Sequence, residues 1–249
     1  MSATAATATA AGAGSSLYQI AGAVLAVTIL QLLLVTKAKG GGVELSKESR
    51  RRIQHATTGQ LMICVSYILP LPICTVALLA GIVLLLFVYH VHNPWYKKTF
   101  GPLLRPSEQD TLPGAFWFLL GTWIIVTLVC VFGVIDIDVG RYAILCLSYA
   151  DPMAAWVGSS ISSPRIGGGG VSTNATVAGC GAAFVTALIL GVGMLGGAGS
   201  QNGLVLPVVV ESVIGALACT LAESAPLGND NLLIPIGTAL AVQLVRMYN

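Results

Sequence analysis

Hydrophobic positions along this chain form long, nearly continuous runs, separated by short polar stretches. Such runs predict membrane-spanning helices, because a helix needs about 20 apolar residues to cross a bilayer. Pro70 and Pro72 divide one overlong run in two, since proline removes a backbone donor. The pattern predicts an all-α, polytopic transmembrane bundle of about eight spans, within a range of seven to nine, joined by short cytosolic loops. The predicted spans are residues 17–36, 56–69, 73–92, 113–135, 141–158, 175–195, 204–222 and 232–248.

Few positions are charged: 9% of the 249 residues, against about 25% in a typical soluble domain. Apolar runs recur along nearly the whole length, so no separate soluble domain is predicted. The net charge of +2 is too small to indicate nucleic-acid binding. All six cysteines fall in apolar runs without a CxxC pair, which favours buried small side chains over a disulfide framework or a zinc site.

The N-terminal region divides into two parts. Residues 1–16 are rich in Ala, Thr, Gly and Ser and carry no basic charge, and they predict a disordered lead. Residues 17–43 predict a retained membrane anchor with its linker, because a cleaved signal peptide would have basic residues before its apolar run.

The basic residues predict how the bundle is oriented. With the N-terminus outside the cytosol, ten of the twelve Lys and Arg residues fall in cytosolic segments, and the exceptions are Arg141 and Arg246. The sequon that begins at Asn174 would then lie in a cytosolic loop and stay unglycosylated. The same orientation gathers the unusual polar residues at the cytosolic face.

Asp151 is the most unusual of these residues, because a charge within a span costs roughly 2.5 to 3.5 kcal/mol on insertion scales. Pro152 cannot continue the hydrogen-bond ladder, so the helix is predicted to break or restart there. A helix that starts at Asp151 would present Ala154, Ala155 and Gly158 on one face, which lets another backbone or a ligand come close. Asp151 is thus either a structural N-cap in a re-entrant turn or a ligand of a cation or of a magnesium-bound phosphate.

Two further carboxylates flank the last predicted cytosolic turn, ESAPLGND. Pro226 and Gly228 enforce a turn that could bring Glu223 and Asp230 together. With Asp151 they would offer the oxygen ligands that Mg²⁺ combines with substrate phosphates. The alternative is an ordinary solvated loop.

A basic cluster, RRRIQH, precedes the second predicted span. Taken alone, it is a topology signal or a contact for lipid headgroups. His55 stands out by its position at the mouth of the span, although an isolated interfacial histidine is more often structural. On the opposite face, Asp136 and Asp138 predict a solvated turn, and Glu211 lies inside a span without a predicted partner.

Four stretches of the chain resemble, in family order, the polyprenol kinase family of membrane enzymes, which includes dolichol kinase, phytol and farnesol kinases and the CTP-dependent diacylglycerol kinase. RRRIQHATTG matches a basic-x-x-His-x-x-x-Gly opening, and GAFWFLLG (114–121) resembles a Gly-x-aromatic-aromatic-x-Leu-Gly span. SYADPMAAWVG matches an Asp-x-x-Ala-x-x-x-Gly signature, and LAESAPLGNDNLLIP (221–235) matches the closing Glu-Ser-x-Pro…Asp-Asn-Leu-x-x-Pro segment. The resemblance runs from about residue 44 to the end and implies that 44–249 is a polyprenol-kinase-like transmembrane catalytic domain.

The resemblance implies transfer of the γ-phosphoryl group of CTP to a lipid alcohol in the endoplasmic reticulum or a plastid membrane. The acceptor would be dolichol or another polyprenol, phytol or farnesol, or diacylglycerol. His55 would accept the proton of the lipid hydroxyl or bind phosphate. The remaining implied site residues are Asp151, Glu223 and Asp230 for Mg²⁺, and Arg51, Arg52, Arg165, Gly158 and Asn231 for the nucleotide and its phosphates.

The chain departs from the family after the Asp151 motif. Where the family has a lysine and a glutamate, this chain has Val171 and Asn174. Arg165 is the candidate replacement for the missing cation. The alternatives are a CTP:phosphatidate cytidylyltransferase-like enzyme, a catalytically impaired relative and an ion-coupled secondary transporter.

Overall fold

The computed structural model describes residues 46–100, 112–166, 175–197, 205–225 and 229–248. Within these ranges the chain is all-helical, apart from one isolated β-bridge between Arg165 and Thr176. The helices are α1 (Lys47–Ile68), α2 (Leu71–Val91), α3 (Asn93–Phe100), α4 (Gly114–Cys130), α5 (Ile137–Leu145), a π-helical segment (Cys146–Ala150), α6 (Asp151–Ser160), α7 (Val177–Gly197), α8 (Val205–Ser224) and α9 (Asp230–Tyr248).

The predicted all-α class is confirmed for the described residues. Among them, four helices are long and apolar enough to cross a membrane, and α4 is a shorter apolar helix. These four are α2, α7, α8 from Leu206 and α9. The total of about eight spans stays a prediction, and the anchor at 17–36 and the lead at 1–16 lie outside the described residues.

The two prolines divide the first hairpin as predicted. α1 begins after Ser46, whose Oγ accepts the Ser49 N–H at 3.1 Å, and it ends at Ile68. α2 then starts at Leu71 with Pro72 in its first turn, where a missing N–H costs nothing. The chain therefore reverses direction between α1 and α2.

The α5–π–α6 rod forms the centre of the bundle. Its π segment packs against α1, α7, α8 and α9, and most of its side chains are buried. Tyr142 of α5 is fully buried, and its hydroxyl donates to the carbonyl of Ala187 in α7 at 3.0 Å. The prediction was a break or a restart of the helix at Pro152, and the restart is confirmed, because α6 begins at Asp151 with Pro152 in its first turn. The rod stays continuous because the backbone widens into a π turn and Pro152 falls in the first turn of α6.

A charged network closes the end of the bundle where α5 begins and α9 ends. The Arg246 guanidinium donates to both carboxylate oxygens of Glu211, at 2.6 and 3.2 Å. It also bonds to Asp136 and Asp138, each at 3.0 Å. Glu211, which had no predicted partner, is therefore paired with the neighbouring helix, and the predicted solvated turn at Asp136 and Asp138 is instead tied to α9.

Candidate functional site

His55 and Asp151 meet at the other end of the bundle. The His55 Nε2 atom lies 3.5 Å from Asp151 Oδ2 and 3.0 Å from the carbonyl oxygen of Leu147. The two side chains are 13% and 22% exposed, so the pair is shielded but still reachable from outside. A carboxylate beside an imidazole, held at a helix junction, can store and release a proton.

The π segment explains why the imidazole docks on Leu147. In the i to i+5 pairing of a π-helix, the carbonyl of Leu147 would face the amide of residue 152, which is a proline and has no N–H. His55 supplies the donor that the backbone lacks there. Because a carbonyl oxygen only accepts, Nε2 carries the hydrogen, and in the neutral ring the lone pair is therefore on Nδ1.

The stretches that carry the family resemblance are linked to one another around this pair. Phe118, in GAFWFLLG, contacts the His55 ring edge-to-face, with centroids 4.7 Å apart and planes at 80°. Asn231, in the closing stretch, donates from Nδ2 to the carbonyl of Gly114 at 3.2 Å. A Cβ on Gly121 would meet the backbone oxygen of Asn231, so this glycine allows α4 and α9 to touch. The four stretches are thus distant in sequence and adjacent in the fold.

Arg51 and Arg52 lie one turn before His55 and are tied to the protein. Arg51 donates to Glu48 at 2.7 Å, and Arg52 lies 3.5 Å from the same carboxylate oxygen. The Arg52 guanidinium also reaches Ser159 Oγ at 3.5 Å, which joins α1 to the end of α6. Both arginines are therefore near the candidate site, and their predicted role in phosphate binding stays a prediction.

Glu223 and Asp230 lie at the end of α8 and at the start of α9, and the predicted turn at 226–228 lies outside the described residues. Glu223 lies in the last turn of α8 with its Oε2 atom shielded from solvent, and Asp230 opens α9. Within the described part of the chain, no group of three or more His, Cys, Asp and Glu side chains could hold a metal ion. The shared Mg²⁺ site with Asp151 therefore stays a prediction that these side chains do not form by themselves.

Gly158 lies on α6, two turns after Asp151, and Arg165 follows the end of this helix. A Cβ on Gly158 would meet Thr176 Oγ1 and the backbone of Gly179, so close helix packing accounts for this glycine. Arg165 is exposed, and its backbone bridges to Thr176. Their predicted contacts with nucleotide stay untested, and Val171 and Asn174 lie outside the described residues.

Sequence reasoning missed two groups that position His55. One is the carbonyl of Leu147, which a proline five residues downstream could have indicated. The other is the ring of Phe118, which was part of a matched stretch but had no predicted contact. Both act on the orientation of the imidazole, which a motif does not encode.

Gly59 sets how closely α1 approaches the π segment. It lies one turn after His55, and a Cβ there would overlap both Oγ and Cβ of Ser148. Rotation of the serine hydroxyl cannot relieve the contact with Cβ, so α1 would have to move away. The glycine therefore fixes the helix separation at which His55 reaches Leu147.

Replacing Gly59 with alanine is expected to lower the free energy of unfolding by about 1–3 kcal/mol, because overpacking forces the two helices apart. Thermal unfolding of the purified protein in detergent measures this loss. Adding Ser148→Gly should restore most of the stability, since it removes both overlapping atoms.

The matched control is Gly181→Ala on α7, where an added Cβ meets no atom within 4 Å. This variant should be as stable as the parent or slightly more so, because alanine favours the helix. Equal stability of Gly59→Ala and Gly181→Ala would show that the contact with Ser148 does not set the helix separation.

Two curated proteins are similar to this chain. It is 29% identical over 189 residues to CTP-dependent diacylglycerol kinase 1 of Eremothecium gossypii, in an alignment that covers 67% of this chain and 56% of that protein. It is 26% identical over 161 residues to CTP-dependent diacylglycerol kinase 1 of Schizosaccharomyces pombe, covering 60% of this chain and 68% of that protein. The chain thus spans little more than half the length of the first relative. No family model matches the chain, and no solved structure matches it.

Proposed function

We propose that this chain is an integral membrane lipid kinase that transfers the γ-phosphoryl group of CTP to the hydroxyl of a lipid alcohol. The observation that carries the proposal is the His55–Asp151 pair, which joins two of the family-like stretches. Phe118 places a third stretch against His55, and Asn231 bonds the fourth stretch to that third one. The similarity to two CTP-dependent diacylglycerol kinases supports both the donor and the class of acceptor. The apolar helices around the site suit a substrate that stays in the bilayer.

His55 is proposed as the base. Its Nε2–H is directed at Leu147 O and Asp151, so Nδ1 would take the proton of the lipid hydroxyl as the oxygen attacks the γ-phosphorus. The bond between the γ-phosphorus and the bridging oxygen then breaks, and CDP leaves. Asp151 would stabilise the imidazolium that forms and hold the ring in one orientation, as the third group of a catalytic triad does.

Charge neutralisation is the other requirement of phosphoryl transfer. Arg51 and Arg52 are proposed to hold phosphate oxygens, because a guanidinium offers a fork of donors, and Arg165 is proposed to stand in for the family lysine. Asp151, Glu223 and Asp230 are proposed to face a Mg²⁺ ion that arrives on the nucleotide, since this ion takes one or two carboxylates together with substrate phosphates. When bound, the ion would neutralise charge on the phosphates.

The acceptor is proposed to be diacylglycerol first, because both similar proteins are diacylglycerol kinases, with dolichol, other polyprenols, phytol and farnesol as further candidates. These alcohols share a hydroxyl at the polar end of hydrocarbon. The endoplasmic reticulum is proposed as the membrane, with a plastid membrane as the alternative that fractionation would identify.

One assay tests the proposed reaction. Purified protein in lipid vesicles is incubated with Mg²⁺, CTP labelled at the γ position and each lipid alcohol in turn. Transfer of label to lipid is the expected result. Label released as pyrophosphate in the presence of phosphatidate would indicate a cytidylyltransferase instead, and no turnover together with a solute-dependent current would indicate a transporter.

A further inference from the structure

An apolar cavity of about 200 Å³ lies between α1, α2, α4 and α5, beneath the His55–Phe118 contact. Its walls are mostly hydrophobic side chains, among them Met62, Leu119 and Ile144. An engineered apolar cavity of about 150 Å³ is large enough for one benzene molecule. The cavity here can therefore hold a stretch of a single hydrocarbon chain.

The cavity and the candidate site lie along the same three helices, α1, α4 and α5 with its π segment, although the site residues do not themselves line the cavity. Met62 follows His55 by seven residues, or about 10 Å along α1. Leu119 directly follows Phe118, which contacts the His55 ring, and Ile144 precedes Leu147 by three residues, about 5 Å. A chain in the cavity would therefore run directly away from the His55–Asp151 pair.

The cavity continues along α4 to Val129, ten residues or about 15 Å beyond Leu119. Arg141 lines its far part, but the protein itself engages this guanidinium. It donates to the side chain and the carbonyl of Ser66, at 3.0 and 2.8 Å, and lies 3.6 Å from the centre of the Tyr67 ring. The Arg141 charge is thus already engaged by the protein, so the cavity does not need a polar ligand.

We propose that this cavity binds one hydrocarbon chain of the acceptor lipid and thereby determines which chain lengths the enzyme accepts. The inference rests on the proposed function, because it assumes that the hydroxyl of that lipid reaches His55. Hydrocarbon also surrounds the protein, so the lipid chain gains little hydrophobic free energy when it passes from the bilayer into the cavity. Binding of the chain in the cavity instead fixes the position of the lipid hydroxyl at His55. A misplacement of about 1 Å can lower the rate about 100-fold.

Gly81 offers a way to fill the cavity without disturbing its walls. It lines the cavity from α2, and a Cβ at this position meets no atom within 4 Å. Ala77, one turn earlier, also lines the cavity and is also small. Larger side chains at position 81 should therefore occupy space that a lipid chain would otherwise use.

The series Gly81→Ala, Gly81→Leu and Gly81→Phe is expected to lower kcat/KM progressively for diacylglycerols with long acyl chains, by about tenfold or more for the largest side chain. For short-chain diacylglycerols, which end before the cavity, kcat/KM should stay near the parent value. The ratio of the two values is the readout, because it cancels any general loss of active protein. Gly193→Leu on α7 is the matched control, since its added Cβ also meets no atom within 4 Å and it lies outside the cavity lining.

A binding measurement separates this proposal from the kinase function. A long-chain diacylglycerol with a photoreactive group near the chain end is cross-linked to the protein, and the labelled peptides are identified. Labelling of cavity-lining residues such as Met62 and Leu119, lost in Gly81→Phe but kept in Gly193→Leu, is the expected result.

Three other results would each overturn either the cavity proposal or the kinase function. A wild-type kinase whose chain-length preference is unchanged in Gly81→Phe would overturn the cavity proposal and leave the kinase function intact. Labelling that avoids the cavity lining would also overturn it. Labelling of the lining by a wild-type protein that transfers no phosphate would overturn the kinase function and retain the lipid-binding cavity.

Discussion

Replacing Asp151 with asparagine is expected to lower CTP-dependent phosphoryl transfer by about 100-fold or more, while the protein stays folded. The two side chains have nearly the same shape, so the packing at the junction of the π segment and α6 is kept. The substitution removes the negative charge that lies 3.5 Å from His55 Nε2 and that would stabilise the imidazolium. Initial rates with labelled CTP and diacylglycerol measure the loss, and thermal unfolding in detergent checks the fold.

Asp136→Asn is the matched control, because it makes the same change at the opposite end of the bundle, on a side chain that is 51% exposed. Its activity should stay near the parent value. Activity near the parent value in Asp151→Asn would remove Asp151 from the mechanism.

His55→Gln adds a test of coupling between the two residues. If His55 and Asp151 act as one unit, the double variant should be about as slow as the slower single variant. Losses that multiply would instead mean that the two side chains contribute independently.

Replacing Arg246 with glutamine is expected to lower the free energy of unfolding by about 3 kcal/mol. The change leaves Glu211, whose side chain is only 8% exposed, without its ion-pair partner next to Asp136 and Asp138. Breaking a buried ion pair costs about 3–5 kcal/mol. We expect the lower value here, because the Arg246 side chain is 26% exposed. Unfolding of the purified protein in detergent measures the effect.

Two variants test whether charge is the cause. Adding Glu211→Gln to Arg246→Gln should recover part of the stability, because the uncompensated buried charge is then gone. Arg165→Gln, on an exposed arginine at the other end, should change stability by no more than about 0.5 kcal/mol. A double variant that is less stable than Arg246→Gln would argue against an electrostatic origin.

The helices of this protein follow from local sequence chemistry. Continuous apolar runs predicted the spans, and the described helices overlap every predicted run after residue 45. Pro70 and Pro72 located the reversal between α1 and α2, because proline restricts the backbone wherever it occurs. The interruption at Pro152 was also visible, although its form as a π turn was not.

The site was predictable only in part. The sequence singled out Asp151, since a carboxylate within an apolar run is costly and therefore noticeable. It singled out His55 by its position at the mouth of a span and by its place in a family-like stretch. It gave no sign that the Arg52 guanidinium would reach Ser159, or that the Asn231 amide would bond to the carbonyl of Gly114. Such bonds depend on side-chain direction and helix separation, which residue identity leaves undetermined.

Residue order alone thus decides that the chain is helical, that it belongs in a membrane, and which polar groups are out of place there. These properties depend on the chemistry of neighbouring residues and on its period along the chain. The pairing of those polar groups belongs to the tertiary structure. His55 and Leu147 lie 92 positions apart, and Glu211 and Arg246 lie 35 apart. Only the packing of whole helices, with glycines such as Gly59 at the crossings, brings these atoms within bonding distance.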